Sequence, residues 1–319
     1  MRYVIMDLEW NGSYCRDLNG YFNEIIEIGA VKLNDKLEII DNFHQYIKPI
    51  ISRKLTNIVK NLTNIQSIDL YNGIPFYLAA EFFEKWIKYD SSIVMTWGTT
   101  DLLVMLENCR YFLGTDSIPF LNSYADLQDY CQYRLNLHDG NHLGLSKAAQ
   151  ILNINQDKYE LHHALSDSQL SSDIFSNIYK KGTLRKFTKN AKQKEFYDRI
   201  SFKNVIIKDI NNSLINKDDF NFSCLNCQAQ LTNINSNAWI FKGRAFRNIF
   251  KCPVCGREFD VRIQYKLTYD GLSIKKSISP KIYNPNEQND IPISISETSS
   301  SKLNKRIYTY PDSLATSNI

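Results

Sequence analysis

Two carboxylates lie two residues apart inside the apolar segment that opens the chain. Residues 2–10 have the composition of a buried strand, and Asp7 and Glu9 fall in its second half. Because side chains alternate across a strand, both acids project from one face. Neighbouring anions repel each other and are costly to desolvate, so a buried pair needs a positive partner. Divalent cations prefer oxygen ligands and would meet that need, whereas a solvated strand end is the alternative interpretation.

The segments after this strand predict a sheet that opens with three antiparallel strands. Residues 24–33 and 37–47 are apolar runs on either side of a polar turn, which is typical of a hairpin. Residues 51–65 and 75–89 instead place apolar side chains at helical spacing. This order of elements predicts an α/β fold.

Two further carboxylates lie near the starts of predicted helices. Residues 92–97 form a short, continuous apolar strand, and Asp101 lies in the first turn of the helix that follows. Open α/β sheets bind ligands at such junctions, although an acid in a first turn also complements the helix dipole. After two more predicted helices, at residues 120–135 and 143–152, Asp167 lies one turn into a helix that begins near two histidines.

Four carboxylates and a histidine are the residue types that two-metal hydrolysis of a phosphodiester requires. The carboxylates hold two divalent ions about 3.5–4 Å apart, where one ion activates a water and the other stabilises the leaving oxygen. A histidine with a pKa near neutrality takes the proton of that water. The candidate residues are Asp7, Glu9, Asp101, Asp167 and one of His162 and His163.

Three segments resemble the exonuclease motifs of the DEDDh superfamily, in order, spacing and placement. The segments are Asp7-Leu8-Glu9, Trp97-Gly98-Thr99-Thr100-Asp101 and His162-His163-Ala164-Leu165-Ser166-Asp167. Residues 24–31 are similar to the strand that follows the first motif, and Trp97-Gly98 is most similar to the KapD-like branch. The resemblance covers about residues 1–180. It implies a ribonuclease-H-like fold with a central mixed sheet flanked by helices, and release of nucleotides from a 3′ end with two Mg²⁺ or Mn²⁺ ions.

The resemblance also implies a role for each residue of the set. Asp7 corresponds to the acid that bridges both metals, and Asp167 completes the site of the first. Glu9 and Asp101 support the second metal and the substrate. The general base of the family is a histidine five residues before the last acid, which is His162. A tyrosine branch places its tyrosine four residues before that acid, where this chain has His163, so His162 is the favoured base and His163 the alternative.

Two Cys-x₂-Cys pairs, separated by 24 residues, predict a second module. Four thiolates at this spacing are typical of a structural, tetrahedral zinc site, while four unrelated free cysteines are the alternative. The predicted ligands of one Zn²⁺ are Cys224, Cys227, Cys252 and Cys255. Residues 238–241, 246–250 and 258–269 have strand character, so a small β-rich zinc ribbon is expected.

Aromatic and basic residues alternate in this module. Trp239, Phe241, Phe246 and Phe250 lie among Lys242, Arg244, Arg247 and Lys251. Such residues can bind the phosphates and stack the bases of a single strand, but the aromatics can equally form the core of a small module. Residues 181–319 contain 23 basic and 12 acidic side chains, against 15 and 22 in residues 1–180. The basic half suits a polyanionic partner, although a solvated charged surface would look the same.

The expected organisation is an exonuclease domain at residues 1–180, a connecting segment at 181–221, a zinc ribbon at 222–275 and a disordered tail at 276–319. No apolar run approaches the roughly 20 residues that a membrane span needs, and the first residues do not have the pattern of a signal peptide. We therefore expect a cytoplasmic protein without a membrane partner.

The expected function is 3′→5′ exonuclease activity on single-stranded nucleic acid with a free 3′ end, with RNA favoured over DNA. The alternatives are a DNA exonuclease of repair or proofreading and a non-catalytic module that binds nucleic acid. A binding module has no need of four converging carboxylates and a histidine.

Overall fold

A computed structural model describes residues 2–52, 54–87, 92–137, 142–234 and 239–281. The chain divides into two compact units, Met1–Ser201 and Phe202–Ile319. The first unit includes two helices, Lys181–Phe187 and Lys194–Ser201, from the segment that the sequence analysis treats as a connection. Each unit has a hydrophobic core of its own.

The first unit is built on a mixed six-stranded sheet. The strands are β1 Arg2–Cys15, β2 Gly20–Leu33, β3 Ile39–Tyr46, β4 Ser92–Thr96, β5 Ser123–Asp126 and β6 Lys189–Asn190. Their order in the sheet is β3-β2-β1-β4-β5-β6, and β1 is central, antiparallel to β2 and parallel to β4. Strand β3 is antiparallel to β2, β5 is parallel to β4, and β6 is antiparallel to β5. The expected mixed sheet with three antiparallel opening strands is confirmed.

Helices cover both faces of this sheet, because β1 is apolar on both. The described helices of this unit are α1 Asn57–Thr63, α2 Ser67–Tyr71, α3 Phe76–Ile87, α4 Thr100–Leu113, α5 Leu127–Arg134, α6 Leu145–Ile151, α7 Ala164–Ile178, α8 Lys181–Phe187 and α9 Lys194–Ser201. Val4, Met6 and Leu8 pack into one cluster with α3, α4 and α9, while Tyr3 and Ile5 pack into a second with α5, α6 and α7.

Two of the predicted helices are wrong in extent. Residues 120–135 contain the buried strand β5 before α5 begins, and the side chain of Asp126 accepts a hydrogen bond from the backbone N–H of Asp129 as the N-cap. Residues 51–65 contain only the helix α1, which Asn64 ends in the left-handed conformation with φ 55°. In both segments the capping residues mark the boundaries that the apolar spacing does not.

The second unit is a small antiparallel sheet in the order β12-β11-β10-β8, with β7 paired to β11 and β9 to β10. A short 3₁₀ helix, Lys217–Phe220, precedes the first cysteine pair. Strand β12 continues past residue 276, where the sequence analysis begins the tail, and residues 282–319 lie outside the described part of the chain. The strands are β7 Val205–Ile206, β8 Thr232–Asn233, β9 Ile240–Lys242, β10 Ala245–Lys251, β11 Glu258–Thr268 and β12 Gly271–Pro280.

Within the described residues, none of the helices combines the length and the apolar character that crossing a bilayer demands.

Candidate active site and zinc site

Asp7 and Glu9 project from the face of β1 that α7 covers. They belong to the same alternating set as Tyr3 and Ile5, whose side chains pack with residues of α7. Asp7 is paired in register with Gly29 of β2. A Cβ atom on Gly29 would lie 2.0 Å from the backbone nitrogen of Leu165, so α7 approaches the sheet directly beside Asp7.

The first turn of α7 carries Asp167 to the same place. His163 is the N-cap residue, and the backbone N–H of Asp167 donates to its carbonyl oxygen at 2.9 Å. The hydroxyl of Ser168 donates to the carbonyl oxygen of Gly29 at 3.0 Å, which fixes the helix on β2. The side chain of Asp167 therefore points back over the strand that carries the two acids.

Asp101 reaches the site from the other layer. It lies in the first turn of α4, directly after the β4-to-α4 turn, and it is buried. Its Oδ1 accepts a hydrogen bond of 3.2 Å from the backbone N–H of Leu8, the residue between Asp7 and Glu9. Thr99 is the N-cap residue of α4, although its side chain makes no capping hydrogen bond.

Three of the four predicted carboxylates form one compact cluster. A carboxylate oxygen from each of Asp7, Glu9 and Asp167 lies within 4.8 Å of the others. Asp101 is outside this three-residue group, although its charge acts on Asp7 and on Glu9. Acids from residues 7 to 167 thus converge at the point where β1, α4 and α7 meet.

Burial deprives these carboxyl groups of the hydration that stabilises an ionised acid. It raises the pKa of Asp7 well above its usual range, and repulsion from Asp101 and Asp167 raises it further. Burial raises the pKa of Glu9 to about 8, with repulsion from Glu27 as the next cause. Burial also raises the pKa of Asp101 to about 7, although backbone hydrogen bonds oppose the shift. The charges that act most strongly on Asp7 and Glu9 are those of other acids.

The donor set fits divalent cations. The Oδ1 atom of Asp167 is buried, and no hydrogen-bond partner for it is found among the described residues. Its other oxygen accepts a hydrogen bond of 3.1 Å from the backbone N–H of His162. An unpartnered carboxylate oxygen beside two further acids is a set of hard oxygen ligands, which Mg²⁺ and Mn²⁺ prefer.

The two neighbouring histidines have different surroundings. His162 is exposed and adopts the left-handed conformation, with φ 65°, so that its N–H turns toward Asp167. The Nδ1 of His163 lies 3.5 Å from Oε1 of Glu27, and its Nε2 lies 3.8 Å from Oε1 of Glu160. His163 is therefore engaged by Glu27 and Glu160, whereas the backbone N–H of His162 is bonded to Asp167 of the acid cluster.

Glu27 is a buried acid of the site that the motifs did not reveal. It lies opposite Glu9 in the β1–β2 ladder, and its Oε1 is 2.7 Å from Nε2 of His44. Its Oε2 accepts a hydrogen bond of 3.3 Å from the backbone N–H of Ala164. A cavity of about 320 Å³ opens beside it, lined in part by His44 and His163. The sequence feature that could have identified Glu27 is its charge in the middle of the apolar strand at residues 24–33.

The four predicted zinc ligands converge in the second unit. Their Sγ atoms all lie within 4.8 Å of one another, at 3.6 Å for Cys224 and Cys255 and 3.4 Å for Cys227 and Cys252. A tetrahedral ion with bonds of about 2.3 Å separates its sulfur ligands by roughly 3.8 Å, so the cluster fits zinc. The backbone N–H of Cys255 lowers the pKa of the Cys252 thiol to about 6, which favours the thiolate form that binds metal.

The aromatic residues of this module form its core. Trp239 packs against Phe220, Phe222 and Phe250, with ring centroids 4.8 to 6.3 Å apart. Phe246 and Phe250 are buried, and Phe241 packs on Phe246. Of the two interpretations of the aromatic–basic pattern, the structure therefore supports the core for the aromatics and leaves the basic side chains on the surface.

The sequence matches the RNase_T family, described as "Exonuclease", over residues 4–175. It is 29% identical over 182 residues to the probable 3′-5′ exonuclease KapD of Bacillus subtilis (strain 168), across 55% of this chain and 83% of that protein. It is 31% identical over 190 residues to ERI1 exoribonuclease 2 of Mus musculus, across 52% of this chain but only 27% of that protein.

Among solved structures, the nuclease domain of 3′hExo, a DEDDh family member bound to rAMP, is similar with a TM-score of 0.48. The identity is 23%, over 55% of this chain and 90% of that one. Similarity at this level adds no argument of its own. The family match stands without it, because it covers more than half of the chain and runs from β1 into α7. The family that the three motifs resemble is thereby confirmed, and the chain belongs to the RNase T exonuclease family.

Proposed function

We propose that the chain is a metal-dependent 3′→5′ exonuclease that removes nucleotides from the free 3′ end of single-stranded nucleic acid, with RNA as the preferred substrate. The observation that carries the proposal is the convergence of Asp7, Glu9 and Asp167, whose carboxylate oxygens lie within 4.8 Å of one another. The named relatives support the polarity and the choice of RNA, since one is called a probable 3′-5′ exonuclease and another an exoribonuclease.

Two divalent cations, Mg²⁺ or Mn²⁺, would be held by Asp7, Glu9 and Asp167, with Asp101 behind them. When bound, these ions supply an activated water and charge stabilisation for the leaving 3′ oxygen. The four carboxylates do not attack the substrate themselves. Their role is to bind the cations and so to position the positive charge. Asp101 also orients the Leu8 peptide between the two acids of β1, through the hydrogen bond from its N–H.

His162 is the proposed general base. Its side chain is exposed to water, its backbone N–H is bonded to Asp167, and its imidazole acts electrostatically on the same acid. An imidazole that is neutral near pH 7 can accept the proton of an attacking water. The engagement of His163 with Glu27 and Glu160 supports His162 over its neighbour.

In the second unit, the four cysteines hold one structural Zn²⁺. With four thiolates as ligands, no position remains open for water, so this ion takes no part in hydrolysis. Zinc analysis of the purified chain should find about one ion per chain, and Cys252→Ser should lose it while Cys15→Ala, at a buried cysteine elsewhere, keeps it. A chain with no zinc and four titratable thiols would overturn this assignment.

The decisive assay uses single-stranded oligonucleotides labelled at the 5′ end, as RNA and as DNA of the same sequence. A 3′→5′ exonuclease gives a ladder that shortens one nucleotide at a time, only with Mg²⁺ or Mn²⁺. Asp7→Asn should reduce the rate by at least 10³-fold, whereas Asp35→Asn, in the exposed β2–β3 turn, should not. Equal rates in the Asp7 variant would refute the metal mechanism, and a faster DNA ladder would reverse the substrate preference.

A further inference from the structure

One face of the second unit's sheet carries a concentration of basic side chains. Strand β11 alternates strictly, and Phe259, Val261, Ile263 and Tyr265 are buried in the module's core. The alternate positions of β11, and the positions paired with them in β10 and β12, therefore share the opposite face. The cationic residues on it, here called the basic face, are Arg247, Lys251, Arg262, Lys266 and Lys275.

This face has an excess of positive charge that the described residues do not neutralise. Its acids are Glu258, already paired with Lys281 at 3.2 Å, and Asp260. None of the five cations forms an ion pair with another described residue. Arg247 and Arg262 are direct cross-strand partners, an arrangement that repels across a sheet. A bound anion would relieve that repulsion.

Apart from Ile249 and the two acids, the other side chains of the face are small or polar groups, and the polar ones can donate hydrogen bonds to phosphate. Ser273, Ser277 and Ser279 alternate along β12, and Gln264 lies beside Lys275. The positions of this face that pair between β10, β11 and β12 carry no aromatic ring on which a base could stack. Aromatic anchors, which dominate interfaces between proteins, are likewise missing from these paired positions of β10, β11 and β12.

We propose that the basic face binds the sugar–phosphate backbone of single-stranded nucleic acid, independently of base sequence. The proposal rests on the proposed function for its ligand class, since an exonuclease acts on a polyanion. Along β11, Arg262 and Lys266 lie roughly 13 Å apart at about 3.3 Å per residue, so the face is long enough to contact several phosphates. When a second site on the same chain also contacts the nucleic acid, long strands bind more tightly. Strands too short to reach both sites do not gain affinity.

The test compares two double variants of the full chain, both in an Asp7→Asn background that does not cleave. The first, Arg262→Gln with Lys266→Gln, removes two cations of the basic face. The control, Arg257→Gln with Lys217→Gln, removes one arginine and one lysine that are exposed in the same unit but lie outside the face. Binding of a 20-nucleotide uridine RNA is measured by fluorescence anisotropy at several salt concentrations.

The first variant should raise the dissociation constant about tenfold and flatten the slope of log K against log salt by about 1.4, because each phosphate contact on a single strand contributes about 0.7. The control should change the slope by less than about 0.3, since it removes no phosphate contact. Zinc content and melting temperature should match in both variants. An unchanged slope in a folded first variant overturns the proposal, and so does an equal loss in the control.

A separate arm keeps this outcome apart from that of the proposed function. With Asp7 restored, the basic-face variant should cleave a uridine trinucleotide at the unaltered rate, while KM for the 20-nucleotide strand rises and kcat stays the same. If the trinucleotide is not cleaved even by the unaltered chain, the proposed function fails and the binding result is judged alone. If binding is unaltered and cleavage is normal, only the basic face is refuted.

Discussion

The carboxylate of Glu27 accepts a hydrogen bond of 3.3 Å from the backbone N–H of Ala164, the first residue of α7. The same buried side chain binds His44 and lies opposite Glu9. A negative charge on Glu27, beside the acid cluster, is electrostatically unfavourable. Glu27 therefore stabilises the fold through the hydrogen bonds that its carboxylate makes. The donor of one of these bonds begins the helix that carries Asp167.

Two substitutions of Glu27 distinguish the effect of its charge on stability from the effect of its hydrogen bonds. Glu27→Gln and Glu27→Ala both remove the charge, but only the amide keeps an acceptor for the Ala164 N–H. The alanine variant should therefore have a free energy of unfolding about 1–3 kcal/mol below that of the glutamine variant. Chemical denaturation measures the difference, with Glu84→Ala on the exposed face of α3 as the control. Equal stabilities for the two Glu27 variants would show that the hydrogen bond to α7 contributes nothing.

Gly29 is expected to tolerate no side chain without displacing α7. Its added Cβ would lie 2.0 Å from the Leu165 nitrogen and 2.1 Å from the Ala164 carbonyl carbon, and backbone atoms cannot rotate away. Gly29→Ala should destabilise the protein by about 1–3 kcal/mol through overpacking, and should also lower the activity by moving Asp167. Gly182→Ala is the matched control, because its Cβ meets nothing within 4 Å and alanine favours its helix. A Gly29 variant as stable as the Gly182 variant would contradict the close approach.

The two histidines can be distinguished by single substitutions. His162→Asn should lower kcat by about 10²- to 10⁴-fold, the usual contribution of a general base. Asparagine also tolerates the left-handed backbone of this position, so the fold should be unaffected. His163→Asn should cost less than about tenfold in the same metal-dependent assay. If His163→Asn has the larger effect, the assignment of the base is reversed.

The raised pKa values of the acid cluster predict how stability depends on pH without divalent metal. Glu9, with a folded pKa of about 8, and Asp101, at about 7, hold protons in the folded state that the unfolded chain releases near pH 4. The folded state binds more protons across this window, so stability should fall as pH rises from about 5 to 8.

Added Mg²⁺ or Mn²⁺ should reverse that trend, because it binds the ionised acids. The rise in melting temperature on adding metal should grow from pH 5 to pH 8, as measured by differential scanning fluorimetry. Glu9→Gln should show a shallower fall with pH than the unaltered chain. A metal effect that is the same at both pH values would argue against protonated carboxyl groups in the cluster.

Local patterns in the sequence were enough for several features of this protein. Strand alternation places Asp7 and Glu9 on one face, and the spacing of two Cys-x₂-Cys pairs brings four sulfurs together. The order of strands and helices gives the mixed sheet. These features depend on residues that are close together in the sequence, either as neighbours along a strand or within a short motif.

Other features were decided only when distant segments met. The segment at residues 120–135 has helical periodicity, yet its residues 123–126 form a strand between β4 and β6. The aromatics of the zinc module are core because they pack on one face of its sheet, while Arg247 and Lys251 lie on the opposite face. Glu27 joins the site through a cross-strand register with Glu9 and a contact with Ala164, which is 137 positions away. Sequence fixes which groups a strand or a motif presents, whereas packing between elements decides which buried charges share one environment.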